Sequence, residues 1–285
     1  MHAIDAEALR RHIGTRIEDE DVASRRPLQD LVATFDRPES APREGEEIPV
    51  GWHVGYFPVS QATSELGADG LPNGTGVLPP MPLPRRMYAG NRIAFHQPIR
   101  VGDRLRREIE LTDLQVRTGN TGTMIVTTQT RRIFTPRGLA IVEEYDNVFR
   151  EAVPPGAKSA TAKREAPPPG LAWSRSFDVS IVMLFRFSAL TGNPHRIHYD
   201  RPYATEAEGY PALVVHGPFL QTCLLDFMRD HARQPVRSFS MRARAPLFDT
   251  EPVTLVGGLT EDGRGCSAWA IKPDGTIATE TRATF

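Results

Sequence analysis

The chain has 285 residues, of which 40% are hydrophobic and 24% are charged, a composition typical of an ordinary globular protein. Its 34 Lys and Arg residues are balanced by 35 Asp and Glu residues, which argues against a dedicated nucleic-acid-binding protein with a basic patch. The apolar runs are too short for a membrane span, and the N-terminus shows no secretory signal. Two cysteines, Cys223 and Cys266, cannot form a disulfide scaffold or a four-cysteine zinc site, so we expect a reducing, cytoplasmic location.

The chain length predicts roughly two domains, at about 150 residues each. The segment 152–170 contains five prolines and two glycines and almost no residue that could pack into a core. This composition is typical of an extended linker, which would separate a first half at 1–151 from a second half at 171–285. The alternative is a long surface loop within a single domain.

The first half is predicted to contain one helical region followed by a series of strands. We expect residues 17–35 to be helical in part, with Pro27 opening the second piece because proline is tolerated in a first helical turn. Alternating apolar and polar residues, separated by Gly, Asn and Asp turns, then predict an antiparallel meander. Its predicted strands cover residues 93–100, 105–117, 123–134 and 139–149.

The second half is predicted to contain two helices. Residues 217–232 give the clearer one, with Pro218 in its first turn and apolar residues along one broad side. Residues 179–191 are also predicted to form a helix with a buried face. That face would consist of Ile181, Val182, Leu184, Phe185, Phe187 and Leu190.

Four more strands are predicted after the second of these helices. They cover residues 237–245, 253–260, 265–272 and 276–285. A long apolar helix followed by such a series predicts an α+β fold in which the sheet curls around the helix. The similar strand series in the two halves also suggests a duplicated fold.

The densest group of polar side chains lies in the loop between the two helices of the second half. Three of the eight histidines fall between His195 and His216. Loops held between rigid elements are where reactive groups concentrate. We therefore expect the functional site in this region.

The residues of this loop form a recognisable motif. It reads Asn193-Pro194-x-x-x-His198-x-Asp200-x-Pro202-x-Ala204, and His216-Gly217 follows at a predicted helix start. This pattern resembles that of the MaoC-like dehydratases, or type 2 enoyl-CoA hydratases. The strings HRIHYDRPYA (195–204) and GYPALVVHGP (209–218) more narrowly resemble the double-hotdog type 2 hydroxyacyl-thioester dehydratases and the mesaconyl-CoA and itaconyl-CoA hydratases. The string PMPLPRRMYAGNRIA (80–94) resembles the start of that group's N-terminal half.

The resemblance implies a fold and a reaction. The fold would be a double hotdog, α+β, in which each half is an antiparallel sheet wrapped around a helix and only the second half keeps the catalytic motif. The reaction would be the reversible hydration of an α,β-unsaturated acyl-CoA. We expect neither a cofactor nor a metal, and we expect no nucleic-acid or membrane partner.

The resemblance also assigns catalytic roles. Asn193 and His198 correspond to the catalytic dyad, and His198 would transfer the protons because imidazole titrates near neutral pH. The backbone N–H of Gly217, at the start of a helix, would bind the thioester oxygen. The common form of the motif has Asp where this chain has Asn193, and an amide cannot accept a proton as a carboxylate does.

The substrate-binding residues are less clearly indicated. Mesaconyl-CoA and itaconyl-CoA carry a free carboxylate, which requires a cationic partner. Candidates for this partner are Arg85, Arg86, Arg92 and Arg196, and their spacing singles out none of them. A short branched dicarboxylate of this kind is our preferred acyl group, on the resemblance alone. The candidates for substrate contact are Arg196, Tyr199, His216, Arg85 and Arg86, although Tyr199 and His216 also suit structural roles.

Several alternatives remain open from the sequence. A 3-hydroxyacyl-thioester dehydratase of fatty-acid type is the first, an acyl-CoA thioesterase the second, and a non-catalytic acyl-thioester binding module, suggested by Asn193, the third. His195, His198 and Asp200 could also suggest a metal site, but zinc usually requires a third strong ligand in fixed geometry. A homodimer is compatible with the predicted layout.

Overall fold

The computed structural model describes residues 4–72, 74, 76–119, 122–154 and 165–285. The middle of the predicted linker, residues 155–164, lies outside the described residues. The division into halves at 1–151 and 171–285 therefore stays a prediction. Within the described residues, no helix is long and apolar enough to cross a membrane.

The described strands form one large antiparallel sheet, in the order β1-β3-β4-β5-β2-β7-β10-β9-β8-β6. The two halves of the chain meet where β2 pairs with β7, with Asn91 opposite Met241. The strands are β1 (Arg16–Val22), β2 (Arg85–Phe95), β3 (Arg104–Gly119), β4 (Gly122–Thr135), β5 (Gly138–Arg150), β6 (Trp173–Phe177), β7 (Ser238–Ala243), β8 (Val253–Leu259), β9 (Gly265–Ile271) and β10 (Ile277–Thr284).

The central helix is the one with the clearest sequence pattern. The α-helices are α1 (Ala6–Arg10), α2 (Arg25–Thr34), α3 (Ile181–Thr191) and α4 (Gly217–Ala232). Helix α4 has the predicted bounds, carries Pro218 in its first turn and packs against β2, β8 and β9. Its Phe219, Leu224 and Phe227 are fully buried. The sheet of the second half thus curls around α4, as the pattern predicts.

The prediction that residues 17–35 are helical in part is confirmed for the piece that contains Pro27 and is wrong for the first residues of the range. Residues 17–22 belong to β1, which pairs with β3 and places Asp19 opposite Arg107. The Nε of Arg107 donates to Oδ1 of Asp19 at 3.0 Å. Acidic residues directly opposite arginines on a neighbouring strand stabilise the pairing, and this cross-strand attraction is not visible in a local helical pattern. Helix α2 begins only at Arg25, with Pro27 in its first turn.

The prediction of the buried face of α3 is also partly wrong. Leu184 and Phe187 are buried, but Ile181, Val182 and Phe185 are 48%, 59% and 63% exposed. Helix α3 is apolar on most sides, so its sequence does not distinguish the face that contacts α2 from the face that does not.

The first half lacks a helix as long as α4 within the described residues. Helix α2 packs against α3 and against the 3₁₀ turn Trp52–Gly55. Much of the inner face of β2, β4 and β5 lines a cavity of about 620 Å³, which extends to the N-terminus of α4. Because no described helix as long as α4 covers the inner face of the first-half strands, space is left there in which a substrate can bind.

Candidate active site

The loop that carries the motif is fixed at both ends. Helix α3 ends at Gly192, which has φ 61°, and the N–H of Asn193 donates to the carbonyl of Ser188 at 2.9 Å. Gly192 is required because a Cβ there would lie 2.6 Å from the carbonyl oxygen of Val59. Farther along, the N–H of Arg196 donates to the carbonyl of Asp69 at 2.8 Å. A segment of the first half therefore holds the motif of the second half.

His198 is buried in this loop with a defined hydrogen bond. Its Nδ1 lies 2.7 Å from the carbonyl oxygen of Val214. Because a carbonyl only accepts hydrogen bonds, Nδ1 carries the hydrogen and Nε2 keeps its lone pair. Burial lowers the pKa of His198 to about 4. The hydrogen bond to Val214 acts in the opposite direction and raises the pKa, but its effect is the smaller one. The ring is therefore a neutral imidazole with a free basic nitrogen at neutral pH.

Two further histidines surround His198. The ring of His216 stacks on that of His198, with the centroids 3.6 Å apart and the planes at 22°. The ring of His195 meets His198 edge to face at 5.4 Å. Burial lowers the pKa of His195 and of His216, and the proximity of His198 lowers both further. Three adjacent rings are thus kept uncharged, which avoids repulsion between buried cations.

The ring of His216, which stacks on His198, also contacts helix α3. Its Nε2 lies 2.8 Å from the hydroxyl of Ser188 on α3. His216 immediately precedes the first residue of α4, and its ring is fully buried. The stack therefore links the end of α3, the ring of His198 and the start of α4.

Gly217 is the first residue of α4 and borders the same cavity as His198. The first N–H groups of a helix have no partner within the helix, and the helix dipole favours negative charge beside them. A Cβ on Gly217 would lie 2.0 Å from Cδ1 of Tyr88 on β2. Glycine at this position therefore allows β2 and the helix terminus to approach closely.

Asn193 also lines the cavity. Its Oδ1 accepts a hydrogen bond from the N–H of His195 at 3.0 Å. With the carbonyl oxygen engaged in this turn, the amide presents its NH₂ group as a donor. The amide can therefore hold a water or a substrate oxygen but cannot take up a proton.

The five residues predicted to contact substrate are placed differently from one another. Arg86 lines the cavity. Arg85 is not among the lining residues, since its guanidinium binds Glu208 at 2.6 Å in a nearly buried ion pair. Arg196 binds Asp200 at 2.7 Å, and Tyr199, which is 43% exposed, donates its hydroxyl hydrogen to the carbonyl of Pro194.

These contacts hold the side chains of Arg196 and Tyr199 against the loop, and neither is a cavity-lining residue. His216 likewise lies behind His198 and not on the cavity surface. Asp200, considered above as a metal ligand, accepts from Arg196 and from the N–H of Tyr203. Its carboxylate is therefore already occupied.

The cavity includes residues of the first half that are not among the residues predicted from the sequence. They lie on the inner face of β2, β4 and β5 and comprise Tyr88, Gln129, Arg131, Glu143, Tyr145 and Asn147. A signal for them was present in the sequence. The middle of β4 (TTQTR, 127–131) and of β5 (EEYDN, 143–147) is polar on both faces, so neither face suits an ordinary apolar core.

Comparisons of the sequence with known proteins show its family. The model of the family described as hydroxyacyl-thioester dehydratase type 2 matches residues 51–249. A mesaconyl-C(4)-CoA hydratase from Chloroflexus aurantiacus is 42% identical over 247 residues, which cover 86% of this chain and 86% of that protein.

Solved structures identify the fold. A MaoC-like dehydratase aligns with a TM-score of 0.71 at 14% identity, covering 97% of this chain and 99% of that one. A Mycobacterium tuberculosis protein with a double hotdog fold aligns with a TM-score of 0.59 at 14% identity, covering 95% of each chain. The predicted α+β double hotdog is thereby confirmed. The chain belongs to the hydroxyacyl-thioester dehydratase type 2 family, and it is an enzyme of the hydratase and dehydratase type.

Proposed function

We propose that this acyl-CoA hydratase adds water reversibly to a short branched dicarboxylic enoyl-CoA such as mesaconyl-CoA or itaconyl-CoA. One observation carries the proposed reaction: the neutral ring of His198, with Nδ1 on the carbonyl of Val214, borders the same cavity as the N-terminus of α4 at Gly217. The choice of acyl group is supported by the 42% identity to the mesaconyl-C(4)-CoA hydratase.

The proposed mechanism begins with a polarised thioester. Its carbonyl oxygen accepts a hydrogen bond from the N–H of Gly217, where the helix dipole stabilises the negative charge that develops during the reaction. The Asn193 amide and Nε2 of His198 hold a water against the β-carbon. Nε2 takes one proton from this water as its oxygen bonds to the β-carbon, and the double-bond electrons move onto the thioester oxygen as an enolate.

The second half of the reaction returns the proton. The imidazolium of His198 donates it to the α-carbon, the enolate collapses to the thioester, and the ring is again neutral. Because Asn193 cannot exchange a proton, His198 performs both transfers. In this proposal Arg196, Tyr199 and His216 position the loop and the ring and do not contact the substrate.

The experiment is a direct comparison of substrates. Purified protein is incubated with mesaconyl-CoA, itaconyl-CoA and crotonyl-CoA, and each product is analysed by mass spectrometry for the gain of one water. We expect hydration of all three, fastest with one of the two dicarboxylic esters. Equal or better use of crotonyl-CoA would favour the 3-hydroxyacyl-thioester dehydratase of fatty-acid type, which the matching family description also supports.

A second readout tests the reaction type. Free thiol is measured with a colorimetric reagent in the same incubations and with a saturated acyl-CoA. Release of CoA without hydration would contradict the proposal and identify a thioesterase. A homodimer and a cytoplasmic location stay predictions.

A further inference from the structure

A polar stripe crosses the inner face of the sheet in the first half, formed by the cavity-lining residues Arg86, Tyr88, Gln129, Arg131, Glu143, Tyr145 and Asn147. Alternate residues of a strand share a face, and the register places Tyr88 on β2 opposite Asn147 on β5. Polar groups are costly to bury without partners. A stripe of this composition therefore suits a polar ligand in the cavity.

The cations near this stripe differ in how their charge is balanced. Arg107 is bound by the carboxylate of Asp19. Arg131 lies 3.5 Å from the carboxylate of Glu143. Arg86, in contrast, has no carboxylate within 4.0 Å in the part of the chain that the structure describes, and Asp69 attracts its charge only from a longer distance. Arg86 thus brings to the cavity a positive charge that no carboxylate contacts directly.

Hydrogen-bond donors without a partner lie around this charge. Three of the buried polar atoms without a hydrogen-bond partner among the described residues belong to the stripe: the hydroxyl of Tyr88, Nδ2 of Asn147 and Nε of Arg131. The Nε of Arg86 reaches Oδ1 of Asn147 only at 3.4 Å, which is a weak contact. An anion with several acceptor oxygens would satisfy these donors and the guanidinium together.

The position of the stripe relates it to the reacting atoms. The ring of Tyr88 packs directly against Gly217 at the start of α4. The charge of Arg86 contributes to lowering the pKa of His195, whose ring contacts that of His198. Tyr88 therefore connects the stripe to the start of α4, and an anion held beside Tyr88 would face the end of the cavity where we place the thioester.

We propose that Arg86 binds the free carboxylate of the acyl group, with Asn147 and Tyr88 as neutral donors, and thereby selects dicarboxylic over simple enoyl-CoA esters. The proposal rests on the proposed function and names the residue that determines its specificity. In mesaconyl-C4-CoA the carboxylate is attached to the β-carbon, so its binding site has to adjoin the water-activating residues. A guanidinium suits this task because its planar N–H groups match both carboxylate oxygens.

The phosphates of CoA are the other source of anionic oxygens. A cation that binds them would act on every CoA ester alike, whereas a carboxylate-binding residue acts only on esters with a second carboxylate. The ratio of kcat/KM for mesaconyl-CoA to that for crotonyl-CoA therefore separates the two cases. We expect Arg86→Met to lower this ratio about 10²-fold, as for the loss of a charge-assisted hydrogen bond, and Arg86→Lys to restore part of it.

Arg92→Met serves as the matched control. Arg92 lies on the same strand and carries the same charge, but its side chain is 49% exposed and is paired with Glu144 and Asp146. We expect this variant to keep the wild-type ratio. An unchanged ratio in Arg86→Met, whether kcat/KM falls equally for both esters or for neither, would overturn the proposal.

A binding measurement separates the failure of this proposal from the failure of the proposed function. Dissociation constants are determined by calorimetry for two saturated, unreactive esters, methylsuccinyl-CoA and butyryl-CoA. We expect Arg86→Met to weaken methylsuccinyl-CoA binding at least about 10-fold more than butyryl-CoA binding. If the wild type hydrates none of the enoyl esters, the proposed function fails, while this binding difference still supports Arg86 as the carboxylate site. Equal weakening of both esters, or none, refutes it.

Discussion

The aromatic ring of Tyr88 lies directly against the Cα of Gly217, so that a Cβ added to the glycine would lie 2.0 Å from Cδ1 of the tyrosine. Tyr88 belongs to the sheet of the first half and Gly217 to the central helix of the second. The start of α4, where we place the thioester oxygen, is therefore shaped by both halves. Residues of both halves likewise line the cavity.

Gly217→Ala is expected to lower kcat/KM by about 10²-fold or more, because the methyl group displaces Tyr88 and shifts the helix N–H that stabilises the oxyanion. The measurement is the hydration rate of mesaconyl-CoA, with circular dichroism as the check that the variant is folded. Gly119→Ala is the control, since no described residue beyond its chain neighbours places an atom within 4 Å of its added Cβ. A folded Gly217→Ala variant with wild-type activity would remove Gly217 from the mechanism.

The activity is expected to stay nearly constant as the pH falls from about 8 to about 6. Burial lowers the pKa of His198 to about 4, so the free enzyme keeps the neutral, proton-accepting ring across this range. An imidazole with the ordinary pKa of about 6.5 would be roughly three-quarters protonated at pH 6, and kcat/KM would fall in proportion. The profile of kcat/KM against pH distinguishes the two, and an inflection near pH 6.5 would contradict the low pKa.

Asn193→Asp is expected to retain activity or raise it. The carboxylate keeps an acceptor for the N–H of His195, which the amide Oδ1 binds at 3.0 Å, and adds a second proton-accepting group beside the water. Asn193→Ala, which removes both functions, should lower kcat/KM about 10-fold or more. Loss of turnover in Asn193→Asp would show that the water-holding role of this residue is misassigned.

Arg85 and Arg86 are adjacent in sequence, but Arg85 forms a nearly buried ion pair with Glu208 whereas Arg86 lines the cavity. Arg85→Met leaves Glu208 buried without its counter-ion, so we expect the free energy of unfolding to fall by about 3 kcal/mol. Arg92→Met removes a half-exposed side chain and its ion pairs with Glu144 and Asp146, and it should change the free energy of unfolding by at most about 1 kcal/mol. Urea denaturation measures both values. Equal effects of the two substitutions would contradict a structural role for Arg85.

Much of the fold could be predicted because its local signals agree with its tertiary packing. The bounds of α4 follow from Pro218 and from an apolar side broad enough to be enclosed by a sheet. The strands β3, β4, β5 and β7–β10 follow from alternation and turns. Residues 17–22 could not be predicted in the same way, because their pairing with β3 depends on charges almost ninety positions away in the chain.

The candidate site could be predicted only where it is contiguous in sequence. The motif around His198 lies within one loop, whereas Tyr88, Arg131 and Asn147 come from three strands of the other half and meet only through the register of the sheet. The same limit applies to the arginines. The sequence alone does not distinguish Arg85 from Arg86, because the partner that neutralises Arg85 is Glu208, more than one hundred residues away.

The proton-transferring role of His198 is tested by the hydration rate of mesaconyl-CoA in His198→Ala compared with the wild type, with circular dichroism as a check of folding. The stack of His198 on His216 is lost in this variant, so His198→Gln, which keeps more of the side-chain volume, is measured beside it. We predict that kcat falls at least about 10²-fold in both folded variants, as expected for the loss of a general acid–base group. A folded variant that hydrates mesaconyl-CoA at nearly the wild-type rate would contradict the assignment of His198 as the group that moves the protons.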